Sequence, residues 1–308
     1  MQRKTIEKVI VSKMNEWLET IKDEKLRKEV KENLLISGGS IACMFMGMEV
    51  NDYDVYIKDI NVLKKLTEYY IKDFDEIWIA DGREKESLMK EYNVSDKNET
   101  SFSNDYYSVA IRNLKPDQLK LIFNSKNGGF RVEKNEEEDS EIEKYQPVYF
   151  SPNAISLSEN VQIVLRFWGD DVKIHETFDF IHATNYFTFE KRLVTNIEAL
   201  ESILTRTLKY QGSHYPVTSI IRAKKFIKRG FNISAGELLK IMFQISQLDL
   251  SNPDVLEEQL IGVDVAYFEI LIKALRGKFS SDEDFKLNTK YFNELVDKIF
   301  NENDLNNK

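Results

Sequence analysis

The sequence predicts an α+β protein: a mixed-sheet half followed by an all-helical half. Three observations point there. Through residue 183, short apolar runs rich in Val, Ile, Phe and Tyr alternate with helically spaced segments. From residue 190 onward the spacing is helical to the end. Within the first half, the apolar run Leu34-Leu35-Ile36 ends in a glycine turn of the kind that joins a strand to a helix. We therefore expect residues 1–189 to form one domain and 190–308 a helical second domain.

The elements follow in order. Ile6, Val9, Ile10, Met14, Trp17 and Leu18 recur at helical spacing, which predicts helix over 3–32. Strand is expected at 34–37, helix at 41–48 and strand at 53–57. Asn61 is the expected cap of a helix over 62–72, and Glu76-Ile77-Trp78-Ile79-Ala80 the next strand. Residues 82–105 are polar and irregular. The runs 107–111 and 119–123 are apolar, the first a strand, and 133–144 is a charge block expected in solvent. Strands are expected at 147–150, 154–157, 161–167 and 177–183.

Composition limits the function. With 42% hydrophobic and 12% aromatic residues, the chain can build a proper core. A net charge of −9 disfavours broad non-specific nucleic-acid binding, which uses basic surfaces. The single cysteine, Cys43, excludes an internal disulfide and fits a reducing, cytoplasmic setting. The N-terminus lacks the apolar stretch of a signal peptide, and no run approaches the ~18 apolar residues of a membrane span.

The chemistry concentrates at 34–57. Gly38-Gly39-Ser40 closes an apolar run, and after eleven intervening residues Asp52-Tyr53-Asp54 opens another. In a strand, residues two apart share a face, so Asp52 and Asp54 repel each other unless a cation lies between them. Mg²⁺ is commonly held by one or two carboxylates together with substrate phosphates. The glycines admit close approach of a ligand to the backbone, and the N–H groups of the following helix point at an anion on the turn. A phosphate cradle beside a metal-binding acid pair suits phosphoryl or nucleotidyl transfer.

This pattern resembles the DNA polymerase β-like nucleotidyltransferase superfamily: a hydrophobic strand, Gly-Gly or Gly-Ser, roughly ten residues, then Asp-x-Asp in a second strand. The resemblance implies that Gly38, Gly39 and Ser40 hold the triphosphate. It also implies that Asp52 and Asp54 hold Mg²⁺, two ions in all, with an NTP as substrate. It further implies a third carboxylate on a later strand. Asp179, between Phe178 and Phe180, is the best match, with Glu176 and Asp81 as competitors. The three histidines, His175, His182 and His214, form no zinc-protease spacing, and His182 suggests packing or a structural hydrogen bond.

In the helical half, Ile221-Arg222-Ala223-Lys224-Lys225-Phe226 with Gly230-Phe231 resembles a helix of CCA-adding enzymes and bacterial poly(A) polymerases. That likeness implies a base-selecting role for Arg222. Lys224, Lys225, Lys228 and Arg229 form the densest short basic cluster near the end of the catalytic half and are the candidate RNA contacts. From Ser151-Pro152-Asn153-Ala154 through Asn185-Tyr186 to Gly262-Val263-Asp264, the chain also looks like nucleotidyltransferase-like proteins of large tailed bacteriophages. The expected activity is transfer of an NMP from an NTP to a hydroxyl acceptor, with pyrophosphate released. A tRNA-like RNA 3′ end is the favoured acceptor. A small-molecule or protein hydroxyl is the alternative, and a nucleotide-binding protein without turnover a second one.

Overall fold

The computed structural model describes residues 1–92, 111, 114–123, 129–132 and 144–250, and beyond these positions 252, 255, 256, 259, 275, 277, 278, 290–294 and 297. The expectations for 93–105, 107–110, most of 133–144 and 262–264, and the helical reading for most of 251–308, lie outside the described residues.

The chain divides into two compact units. The first comprises Met1–Phe178 and His182–Leu204, the second Asp179–Ile181 and Thr205–Lys308. The division falls later than residue 189 because 190–204 does not begin a helical domain. Arg192–Val194 is a strand that pairs with Tyr186–Thr188, and Leu193 is fully buried beside Phe187.

Among the described residues of the first unit, eight strands form one sheet. They are β1 (Leu34–Ser37), β2 (Tyr53–Ile57), β5 (Phe130–Arg131), β6 (Pro147–Ser151), β7 (Ala154–Leu157), β8 (Val161–Val164), β9 (Tyr186–Thr188) and β10 (Arg192–Val194). Their order is β10-β9-β1-β2-β8-β7-β6-β5, and only β2 and β8 are parallel, so the sheet is mixed. β3 (Ile77–Asp81) and β4 (Leu119–Phe123) make a separate antiparallel pair.

Alternation along the strands sorts the sheet into two faces. One apolar row crosses all eight strands in register: Leu193, Phe187, Ile36, Val55, Ile163, Ile155, Phe150 and Phe130. The first seven belong to the main core, and Phe130, half-buried, packs against it. Onto this core pack α1 (Arg3–Thr20), through Ile6, Ile10, Met14 and Trp17, and α4 (Ile60–Ile71), through Leu63 and Leu66. Trp17 Nε1 donates to Tyr70 Oη at 2.8 Å, so the buried indole N–H keeps a partner. A smaller cluster of Leu35, Tyr56, Ile174 and Tyr186 lies on the opposite face, where the short helix Asp171–His175 covers part of the sheet.

Several expectations change in detail. The helix expected over 3–32 is two: α1 stops at Thr20, and α2 (Glu24–Asn33) restarts where Asp23 accepts from the Lys25 and Leu26 amides. Asp59, not Asn61, caps α4, and its carboxylate accepts from the Asn61 amide at 2.7 Å. Ile111 is helical, not extended. β8 ends at Val164. No strand spans 177–183. Asp170 caps Asp171–His175, Thr177 Oγ1 ties back to the Ile174 carbonyl, and only Phe180 is extended, in a bridge to Tyr210.

In the second unit, Thr207–Leu208 pairs in parallel with Asn232–Ile233, so this half is not all-helical. Among the described residues of this unit, helices span Pro216–Lys228 and Ala235–Ile245, and positions 255, 256, 259, 275, 277, 278, 290–294 and 297 are helical as well. Gly230 follows the first at φ +85, a left-handed position that glycine adopts without strain. Among the described residues, no helix is long and apolar enough to cross a membrane.

Candidate phosphate and metal site

The glycine turn and the second aspartate meet. β1 carries the chain to Gly38, whose φ of +94 is a conformation that side chains disfavour. Its amide donates to the Ala183 carbonyl at 3.0 Å. β2 lies antiparallel beside β1, with Ile36 opposite Val55, and this register brings Asp54 to the turn. A methyl group built on Gly38 would lie 3.2 Å from Asp54 Oδ2. The backbone and the carboxylate are therefore close enough to share one ligand.

Helix α3 (Gly39–Met46) begins at this turn with no side chain capping it. Its first-turn N–H groups have no intrahelical acceptor, and the helix dipole adds partial positive charge there. Ser40 is 3% exposed, and its Oγ has no hydrogen-bond partner. A buried hydroxyl without a partner is costly unless a ligand or movement satisfies it. Asp52, one residue before β2, is exposed, and Asp54 is half-buried. Asp54 thus sets carboxylate oxygen against an uncapped helix start, a donor type that suits Mg²⁺ sharing its remaining positions with water and phosphate.

Among the described residues, no three His, Cys, Asp or Glu side chains group closely enough to hold a metal ion. Asp179 belongs to the second unit and is buried, with both carboxylate oxygens engaged. Ser213 Oγ donates to Oδ1 at 2.7 Å, and Arg222 Nη1 donates to Oδ2 at 2.6 Å. Asp81 is also committed: Arg83 grips both its oxygens and Lys64 lies at 3.4 Å. The Arg83 guanidinium holds the Asp81 carboxyl down at about 2. Glu176 is exposed just after the short helix. The residue in register with Asp54 on the adjacent parallel strand is an amide, Gln162.

Two features of the site escape a linear reading of the sequence. Ser37, the last residue of β1, is fully buried, and its Oγ lies 2.9 Å from the Asn185 carbonyl and 2.9 Å from His175 Nε2. The hydroxyl has one proton to give. Giving it to a carbonyl leaves His175 to donate from Nε2. Burial pushes the His175 pKa below its ordinary value, and Asp171 opposes that shift. The imidazole thus braces the residue before Gly38. The second feature is Gln162, half-buried beside Asp54. Only the alternation within Val161-Gln162-Ile163-Val164 hinted that its side chain leaves the core face.

The basic cluster lies in the second unit. Lys224, Lys225 and Lys228 are exposed on the helix Pro216–Lys228, and Arg229 is half-buried. Arg222, 36% exposed, faces Asp179.

Fold and site define an α+β protein with a glycine turn set against an aspartate in the next strand. The chain belongs to the Gabija anti-defense 2 family (Gad2), which matches residues 8–206. It is 22% identical over 279 residues to the Gabija anti-defense 2 protein of Bacillus phage SPbetaL7, covering 90% of this chain and 51% of that one. The chain thus spans about half the length of this relative. Among solved structures it is similar to the Thermotoga maritima CCA-adding enzyme complexed with tRNA, at 10% identity and a TM-score of 0.36. That match covers 90% of this chain and 57% of the other. It is also similar to a tRNA-processing enzyme with CTP, at 13% identity and a TM-score of 0.37, covering 86% and 59%. Superpositions this loose carry no argument about chemistry.

Proposed function

We propose that this protein is a metal-dependent nucleotidyltransferase. The observation that carries the reading is the approach of Gly38 to Asp54 Oδ2, 3.2 Å from a methyl built on the glycine. A triphosphate on the turn would have its phosphates directly against the acid pair. The first-turn amides of α3, with Gly38 and Gly39 leaving room, would bind the phosphate oxygens, and the Ser40 hydroxyl would gain the partner it lacks. Asp52 and Asp54 would hold Mg²⁺, which when bound would offset phosphate charge and favour the deprotonated acceptor hydroxyl. The acceptor oxygen forms a bond to the α-phosphorus as the bond to the bridging oxygen breaks. Pyrophosphate leaves with the electron pair, and the hydroxyl proton passes to Asp54 or solvent. The chain's work is positioning and charge compensation.

The remaining assignments follow from this reading. Asp179 would serve as third carboxylate only by exchanging its bonds to Arg222 and Ser213. Arg222 commits one guanidinium nitrogen to Asp179 and has further donors for a nucleobase edge. An RNA 3′ end, tRNA-like, is the acceptor we favour, with Lys224, Lys225, Lys228 and Arg229 as phosphate contacts. The family description favours a second reading, in which the acceptor is a hydroxyl of a protein of the Gabija defence; the net charge of −9 accords with it. Pyrophosphate release, measured with each NTP and Mg²⁺ in the presence of tRNA or of purified Gabija proteins, tests the proposal. Release that depends on one acceptor supports it and names the acceptor. No release with any combination removes it and leaves nucleotide binding without turnover.

A further inference from the structure

A second row of residues crosses the sheet back-to-back with the apolar one. Asp54 pairs with Gln162, Gln162 with Ser156, Ser156 with Tyr149, and Tyr149 with Arg131. Each lies one residue from a member of the core row, so all five side chains leave the opposite face. Gln162 Nε2 donates to Ser156 Oγ at 3.3 Å, which links two of them. Asp54, Gln162, Ser156 and Tyr149 are half-exposed, and Arg131 is exposed at the sheet edge. Tyr149 lies over Gly129: a methyl built there would come 2.1 Å from its hydroxyl, so a larger residue would displace the phenol from this position.

We propose that this row is the acceptor track: it binds the single-stranded 3′ end of a nucleic acid, with the terminal hydroxyl at Asp54. The inference rests on the nucleotidyltransferase reading for its polarity and deepens it by naming where the acceptor lies. Four strand-to-strand steps span about 19 Å. That length suits a few nucleotides rather than one small molecule. The chemistry changes along the row as such a chain requires. An amide and a hydroxyl offer hydrogen bonds to sugar and base edges. An aromatic ring then offers a stacking surface, and a guanidinium offers a phosphate contact. A single cation, followed in sequence by the acidic block 133–144, suits a short end held by stacking and hydrogen bonds and disfavours a long polyanion.

Binding of a fluorescent single-stranded oligoribonucleotide to the full chain, measured by anisotropy without NTP or divalent metal, tests the track independently of turnover. Tyr149→Leu is expected to weaken binding between about five-fold and a hundred-fold, the loss of one stacked base. Tyr149→Phe should bind like the wild type. Arg131→Ala, at the exposed edge where folding is not at stake, should weaken binding and reduce the salt slope by about 0.7. Wild-type affinity in both Arg131→Ala and Tyr149→Leu overturns the proposal, as does a wild-type protein that binds no oligonucleotide. Row-dependent binding in a protein that releases no pyrophosphate would uphold the track and remove the catalytic reading.

Discussion

Gly38→Ala separates the turn's geometry from its stability. The residue holds φ +94, and the new methyl would sit 3.2 Å from Asp54 Oδ2, so the carboxylate must yield by a few tenths of an ångström. The backbone strain costs about 1–3 kcal/mol. For a unit of this size that lowers the melting temperature by roughly 2–12 °C. A displaced carboxylate also misplaces what it holds, and about a ten-fold loss of transfer is expected, since a misplacement of 1 Å costs about a hundred-fold. The control is Gly47→Ala. Gly47 is also left-handed, at φ +70, but its added methyl meets nothing within 4 Å. Its αL conformation is one that other residues also visit, so Gly47→Ala should lose less stability than Gly38→Ala and keep full transfer. Thermal unfolding and pyrophosphate release on both variants decide the matter. Equal activity in the two variants would refute the claim that Gly38 acts through its approach to Asp54.

Four further outcomes follow. Asp54→Ala should abolish transfer in a protein that still unfolds cooperatively; a fully active variant contradicts its role. Arg222→Ala should destabilise the second unit by about 1–3 kcal/mol, since it leaves the buried Asp179 carboxylate with only Ser213, and Asp179→Asn combined with it should restore part of the loss; an unchanged denaturation midpoint argues against the pair. His175 has a lowered folded pKa through burial, so as pH falls below about 6.5 the unfolded chain takes up the proton first and stability drops; His175→Gln should flatten that part of the melting-temperature profile, and an identical slope counts against the Ser37 brace. Replacing Lys224 and Lys228 together by Ala should weaken RNA binding and reduce its salt slope by about one unit per lost contact; wild-type binding would make that cluster a solvated face.

Local signals carried much of the site. The apolar run before Gly38, the turn itself and the spacing to Asp52 and Asp54 are adjacent in sequence, and β1, α3 and β2 form where those residues demand. What the sequence withheld is non-local. Nothing in Gln162 announces that a parallel pairing sets it beside Asp54, because register across more than a hundred residues is fixed by the common apolar row. His175 carries no signal of its own in the sequence until a helix capped by Asp170 brings its ring to Ser37. Asp179 reads as a strand acid between two phenylalanines. The helix cap and the turn at Thr177 outweigh the β propensity of that segment, and a guanidinium forty-three positions on satisfies the carboxylate. The strand at 192–194 was hidden for the opposite reason: it is too short to show alternation against helical neighbours.

Transfer of label from NTPs marked at the α- or the γ-phosphorus tests the central claim most directly. Wild-type protein with Mg²⁺ and acceptor should move α-label, and not γ-label, onto the acceptor, and Asp54→Ala should move neither. Transfer of γ-label would mean phosphoryl rather than nucleotidyl transfer. Failure of the folded wild-type protein to move α-label from any of the four NTPs to RNA, Gabija protein or small-molecule hydroxyl would contradict the account.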